Sequence, residues 1–169
     1  MPCSKLKQFL DSHEIKYQLT SHPTTYTAQL TASSAHVPPE ILAKTVMFIM
    51  DGKLAMAVVP ASQRVDLTAL HGSIGAHVLR LASELEFKTE FPDCDAGAMP
   101  PFGNLYGMPV FADEEIVGQK EIAFNAGTHT ETLRMRCDDF LRLVQPNVCK
   151  FASARSAYAA SRFMEDRPW

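Results

Sequence analysis

The stretch Lys44-Thr45-Val46-Met47-Phe48-Ile49-Met50, followed by Asp51-Gly52 and then Leu54 to Pro60, decides how the chain reads. Two apolar runs flanking an Asp-Gly pair predict a β-hairpin with a tight primed turn. The first run is apolar at odd and even positions alike. Val46, Phe48 and Met50 face one side of the strand, and Met47 and Ile49 the other. A strand with two apolar faces is covered on both, so this one is expected at the centre of its sheet. Lys44 breaks the pattern at the strand entrance, on the face of Val46 and Phe48. A cation on a covered face needs a partner, a solvent-filled cleft or a substrate. The plain alternative is a lysine that snorkels to water from the strand end.

Working outward, the 169 residues make one ordinary domain, with 46% hydrophobic and 21% charged residues. A net charge of −3 gives no bulk electrostatic case for nucleic acid, so any such binding must use a local basic patch. Cys3, Cys94, Cys137 and Cys149 form no Cys-x-x-Cys pair and no zinc-ligand spacing with a histidine. The N-terminus lacks a signal-peptide core, and no run approaches the roughly 20 apolar residues of a membrane span. A cytoplasmic protein with free thiols is expected.

Before the hairpin, Ser4 to Ser12 is an amphipathic helix with Ser4 as cap, and Ile15 to Leu19 a strand. Thr24 or Thr25 can cap a second helix that Val37-Pro38-Pro39 stops. After it, Val65, Leu67 and Leu70 suggest a short helix, and residues 71–75 a turn-rich joint. Val78 to Ala82 is a brief strand, and Ser83-Glu84-Leu85-Glu86 a cap opening a short helix. Strands are expected at Val110 to Ala112, Glu121 to Asn125 and Thr130 to Cys137, with Asp113 to Ile116 a turn. Asp138 or Asp139 caps a last helix that Pro146 closes. Lys150 to Trp169 differs in composition and is read as a helical or poorly ordered extension; a basic arm for RNA or a partner is its functional alternative.

Phe91 to Pro109 holds four prolines and three glycines, a long structured loop of the kind that is usually functional when ordered. Gly97, Ala98 and Met99 each bring a backbone N–H, while Pro100 and Pro101 bring none and stiffen the segment. The result can be a rigid arc of donors for a carbonyl oxygen that gains charge, or a proline-rich cap on the core. His129 sits in a loop between strands, Asp113 at a strand end where turn capping also explains it, and Tyr26 and Thr27 at a helix start where they can equally cap and pack. No serine or cysteine triad, phosphate loop or zinc-protease motif occurs. Cys94, near the donor loop, has no base beside it in sequence.

Lys44-Thr45-Val46, the Gly-x-x-x-Pro segment Gly97 to Pro101 with Phe102-Gly103, the strand end at Asp113, and Asn125-Ala126-Gly127 before a final strand together resemble the bacterial YbaK/ProX family. Its members are free-standing relatives of the editing domain inserted in bacterial prolyl-tRNA synthetase. The resemblance covers residues 4 to 148. It implies a single α/β domain over 1–149, a mixed curved β-sheet surrounded by helices, with 150–169 outside it. It implies hydrolysis of the ester that joins a wrong, small amino acid to the terminal adenosine of tRNA.

Carried over by residue, the resemblance gives Lys44, Gly97 and Ala98 catalytic roles. Substrate contacts fall to Tyr26, Thr27, Thr45, Met47, Met99, Pro101, Phe102, Gly103, Asp113, Asn125, Gly127 and His129. No metal and no cofactor is implied. The expected partner is the acceptor end of a mischarged tRNA, with an aminoacyl-tRNA synthetase as a further candidate and neither DNA nor membrane. Such editing closes a gap that binding alone leaves, since one methylene is worth only about 1–3 kcal/mol of discrimination. The alternatives are a non-catalytic tRNA- or nucleotide-binding module docked on a synthetase, and a hydrolase of small aminoacyl esters or thioesters.

Overall fold

The computed structural model describes residues 3–154, so the expected C-terminal extension lies outside the described residues from 155 onward. In chain order the elements are α1 (Ser4–Ser12), β1 (Tyr17–Ser21), α2 (Ala28–Ser34), β2 (Ala43–Met50), β3 (Lys53–Pro60), β4 (Gln63–Val65), α3 (Leu67–Ile74), β5 (Leu79–Leu81), α4 (Glu84–Phe87), β6 (Val110–Asp113), α5 (Glu114–Val117), β7 (Glu121–Asn125), β8 (Glu131–Arg136), α6 (Cys137–Val144), β9 (Asn147–Cys149) and β10 (Ala152–Ala154). Short 3-10 turns occupy Lys88–Glu90 and Gly103–Tyr106.

The hairpin forms as its residues require. Asp51 and Gly52 take φ of +49° and +84°, the signature of a primed turn, and Met50 pairs with Lys53 across it. The Asp51 carboxylate accepts from the amides of His77 and Val78, at 3.0 and 2.8 Å, and so ties the turn to the lead of β5. A mixed five-stranded sheet runs β5-β2-β3-β6-β9, with β2 interior as its two apolar faces demand. Its contacts with β3 and β5 are antiparallel, while β6 lies parallel to both β3 and β9.

The two faces of β2 feed two cores. Val46 and Phe48 pack with Ala55, Ala57, Leu70, Phe111 and Phe151. Met47 and Ile49 pack with Met56, Phe102, Phe124 and Phe140 beneath α1 and α6. A three-stranded sheet, β1-β8-β7, and a two-stranded one, β10-β4, complete the described fold.

Several local expectations give way to tertiary contacts. The first strand starts at Tyr17 because Glu14 turns left-handed, with φ +56°, and the Ile15 amide returns to the Leu10 carbonyl to close α1. Cys3, not Ser4, holds the N-cap position of α1, and no side chain caps it. Thr27 caps α2 by accepting from the Leu30 amide, while Thr25 bonds Thr31. Gln63–Val65 is a strand because β10 supplies a partner for it, and residues 71–74 continue α3 instead of forming a joint. Asp113 opens the one-turn α5 where a plain turn was expected. Asp138 and Asp139 stand in the first turn of α6, where their charge suits the helix N-terminus, but Arg136 occupies its cap position.

The pairing of β10 with β4 also carries the packed unit past residue 149. Phe151 is buried at 1% exposure, and both its amide and that of Ala152 bond the Asp113 carboxylate.

Candidate active site

The five- and three-stranded sheets meet at the entrance of β2. Leu42 bridges to Ala123, the Ala123 amide donates to the Ile41 carbonyl at 2.9 Å, and the Ala61 amide to that of Leu42 at 2.8 Å. At this seam the start of α2, the start of β2 and the proline loop converge on a pocket of about 390 Å³, a volume that includes its open mouth. Tyr26, Thr27, Ala28, Leu42, Ala43, Lys44, Thr45, Gly97, Met99 and Asn125 line it. Lys44 is only 9% exposed, so it does not snorkel into open water; it belongs to the pocket wall.

The proline loop is held by bonds that leave little slack. The Asp95 amide donates to the Gly127 carbonyl at 2.7 Å, the Gly127 amide to the Ala98 carbonyl at 3.0 Å, and the Ala98 amide to the Asp95 carbonyl at 3.0 Å. This corrects the expected donor arc. The Ala98 N–H is committed inside the loop, and Ala98 is fully buried and outside the lining. Gly97 does line the pocket. Its N–H faces the Met99 thioether at 3.2 Å, a weak acceptor.

His129 stands behind this wall. Its Nε2 donates to the Ala96 carbonyl at 2.7 Å, and its ring lies 5.0 Å from that of Tyr26, tilted by 52°. Its Nδ1 is buried with no hydrogen-bond partner among the described residues, as is Oδ1 of Asn125 on the pocket wall. A buried acceptor without a donor is where an incoming donor gains most. His129 is thus not a lining residue; it braces Tyr26 and the loop carbonyl that precedes Gly97.

Of the other expected contacts, Met47 and Phe102 are fully buried in the core and do not reach the pocket. Pro101 is buried outside the lining. Gly103 packs so closely that a Cβ there would stand 2.7 Å from the Met108 carbonyl oxygen and from a methyl of Val110. The Asp113 carboxylate, 1% exposed, accepts from the amides of Glu115, Phe151 and Ala152, so it anchors chain instead of substrate. Gly127 supports the loop from beneath through backbone bonds. Ala28, Leu42 and Ala43 were missed. Ala28 adjoins Thr27 and Ala43 adjoins Lys44, while Leu42 lies two residues before Lys44; that nearness was the available signal.

Residues 22–143 match the family model of the aminoacyl-tRNA editing domain. The chain is 35% identical over 97 residues to the multifunctional Ser/Thr-tRNA deacylase ProXp-y of Escherichia coli K12, and equally to that of Escherichia coli O157:H7. The match takes in 57% of this chain and 58% of the relative, so a little over half of each protein is aligned. A crystal structure described as a candidate trans-editing enzyme for prolyl tRNA synthetase superimposes with a TM-score of 0.77 at 21% identity, covering 90% of this chain and 97% of that one. A hypothetical protein superimposes with a TM-score of 0.78 at 16% identity, covering 88% and 99%. These two likenesses establish the mixed α/β editing-domain fold. Among the described residues no helix is long and apolar enough to cross a membrane.

Proposed function

The chain belongs to the aminoacyl-tRNA editing domain family, and from that premise we propose that it is a trans-editing deacylase, hydrolysing the ester of a tRNA mischarged with a small amino acid. The observation that carries this is the meeting of Lys44 and Gly97 in one pocket, a cation and a loop amide on the same hollow. Water attacks the ester carbonyl carbon, the carbonyl oxygen takes up the charge, and the ribose hydroxyl leaves with a proton. The Lys44 ammonium and the Gly97 N–H favour that charged oxygen over the neutral carbonyl, which is what lowers the barrier. The absence of a serine or cysteine triad from the sequence suits attack by water, positioned by the substrate's own neighbouring ribose hydroxyl.

Ala28, Ala43 and Thr45 on the pocket wall, beside the bulkier Met99 and Leu42, support a small side chain as the group it admits. Alanine, serine and threonine are the first amino acids to try, since one relative is described as a Ser/Thr-tRNA deacylase. With a net charge of −3, affinity for the acceptor end is expected to be modest and to fall steeply with salt, and a synthetase could supply the remainder. The proposed substrate is one met in the cytoplasm.

The test is a deacylation panel of tRNAs charged with these amino acids, wild type beside Lys44→Ala. Wild type turns over at least one of them, and the variant loses about 100-fold or more in kcat/KM while its circular dichroism is retained. Binding without turnover across a complete panel would instead point to a docking module. Competition by uncharged tRNA separates a tRNA substrate from a small aminoacyl ester.

A further inference from the structure

Outside the pocket lining, the fold gathers four polar side chains at the start of the proline loop. Sγ of Cys3 donates to Oδ2 of Asp93 at 2.8 Å, and the Tyr106 hydroxyl donates to Oδ1 of the same carboxylate at 3.2 Å. Sγ of Cys94 approaches Oδ1 at 3.7 Å. The Tyr106 oxygen lies 3.2 Å from the Cys3 sulfur and 3.6 Å from that of Cys94. Cys3 is 1% exposed and Cys94 is half-buried, so the two sulfurs face each other out of bulk water.

One carboxylate thus collects three protic donors, and the ligand atoms of Cys3, Asp93 and Cys94 all lie within 4.8 Å of one another. Around a tetrahedral zinc ion, bonds of about 2.3 Å to sulfur and about 2.0 Å to oxygen set neighbouring ligands roughly 3.3–3.8 Å apart. The observed contacts, from 2.8 to 3.7 Å, overlap that spread, so small shifts of side chains would seat an ion. Residue spacing hides the site, because position 3 is 90 residues away from position 93.

We propose that Cys3, Asp93 and Cys94, with the Tyr106 hydroxyl as fourth donor, form a binding site for zinc(II) or a similar thiophilic divalent cation. On binding, the two thiol protons leave to solvent and two metal–sulfur bonds form, with no change of oxidation state. Two thiolates and one carboxylate around a dication leave a single negative charge. Cys3 holds the N-cap position of the nine-residue α1, where anionic ligands are favoured, and the Lys5 ammonium stands 4.8 Å from the centre of the Tyr106 ring. Two sulfur ligands select a borderline or soft ion over calcium or magnesium.

The consequence is mechanical. The Cys3 amide donates to the Ala126 carbonyl at 2.7 Å, and the neighbouring Gly127 carbonyl accepts from Asp95. An ion here clips α1 to both segments that carry the Gly97 turn. The site stands whether or not the editing reading does.

The experiment uses the full chain without a histidine tag, reduced, stripped with chelator, then loaded with zinc(II) and dialysed. Atomic emission is expected to find one equivalent per chain, and cobalt(II) loading to give a near-ultraviolet thiolate-to-metal band. Cys94→Ser and the milder, more exposed Asp93→Asn each weaken binding at least tenfold, and Cys149→Ser leaves it unchanged. No retained metal, or equal retention by a Cys3→Ser, Cys94→Ser double variant, overturns the proposal. So does recovery of a Cys3–Cys94 disulfide from zinc-loaded protein kept in air, since coordinated thiolates are shielded.

Discussion

The Asp51-Gly52 turn and the Asn125-to-His129 loop each place a glycine at positive φ, +84° at Gly52 and +97° at Gly127, for opposite reasons. At Gly52 a Cβ would meet nothing within 4 Å; the glycine is there for the turn alone. At Gly127 a Cβ would lie 2.8 Å from Cβ of Cys3 and 3.0 Å from its backbone nitrogen. That glycine serves both a left-handed backbone and the close approach of a distant segment. The hairpin is a local structure that tertiary contacts then use. The loop region is a tertiary structure that local preference merely permits.

The sharpest way to break this contrast is to remove what anchors the proline loop. Phe102 is fully buried, with its ring 5.5 Å from Phe124 and 5.6 Å from Phe140. Phe102→Ala should cost about 3–5 kcal/mol in urea unfolding and lower deacylation with it. Gly127→Ala should follow at about 2–4 kcal/mol, the sum of a strained φ and a clash that Cys3 backbone cannot yield to. It should also reduce kcat, because the Gly127 amide and carbonyl hold Ala98 and Asp95 on either side of Gly97. Gly52→Ala should cost only about 1 kcal/mol and leave the deacylation rate unchanged. Equal losses for the two glycine variants would refute the distinction.

The smallest effect lies on the hairpin side, at the capping box of α4. The Arg80 guanidinium, and then the Ser83 amide, hold the Glu86 carboxyl down at about 2, from an ordinary 4.5. Arg80 and Glu86 meet in a two-pronged contact at 2.8 and 2.7 Å. A carboxyl lowered on folding adds stability that is complete above its unfolded pKa and disappears as pH falls through the folded one. Melting curves of wild type and Glu86→Gln should therefore differ slightly at pH 6 and converge between pH 4.5 and 2. A gap that widens on acidification would reverse the sign.

The same contrast explains what could be read early. The two-faced apolar run of β2, its Asp-Gly turn, the Ser83–Glu86 box and the strand Glu121–Asn125 are each encoded within a few residues, and they formed where the pattern put them. Lys44, Gly97 and Asn125 could be singled out because a cation on a covered face and a glycine before prolines violate local expectation, or because the family resemblance carried them.

By itself the sequence determined the hairpin and the two-faced interior strand, which are written in contiguous residues, and the membership of the editing family, which is written in a few short motifs spread along the chain. Only the tertiary structure decided which candidates share the pocket. It committed the Ala98 amide to Asp95 and drew Met47 and Phe102 into the core. It also turned the Asp113 carboxylate toward Phe151 and Ala152, and set Cys3 against Asp93 and Cys94. The physical reason is that hydrogen-bond partners and burial are set by residues far along the chain, which no local pattern records.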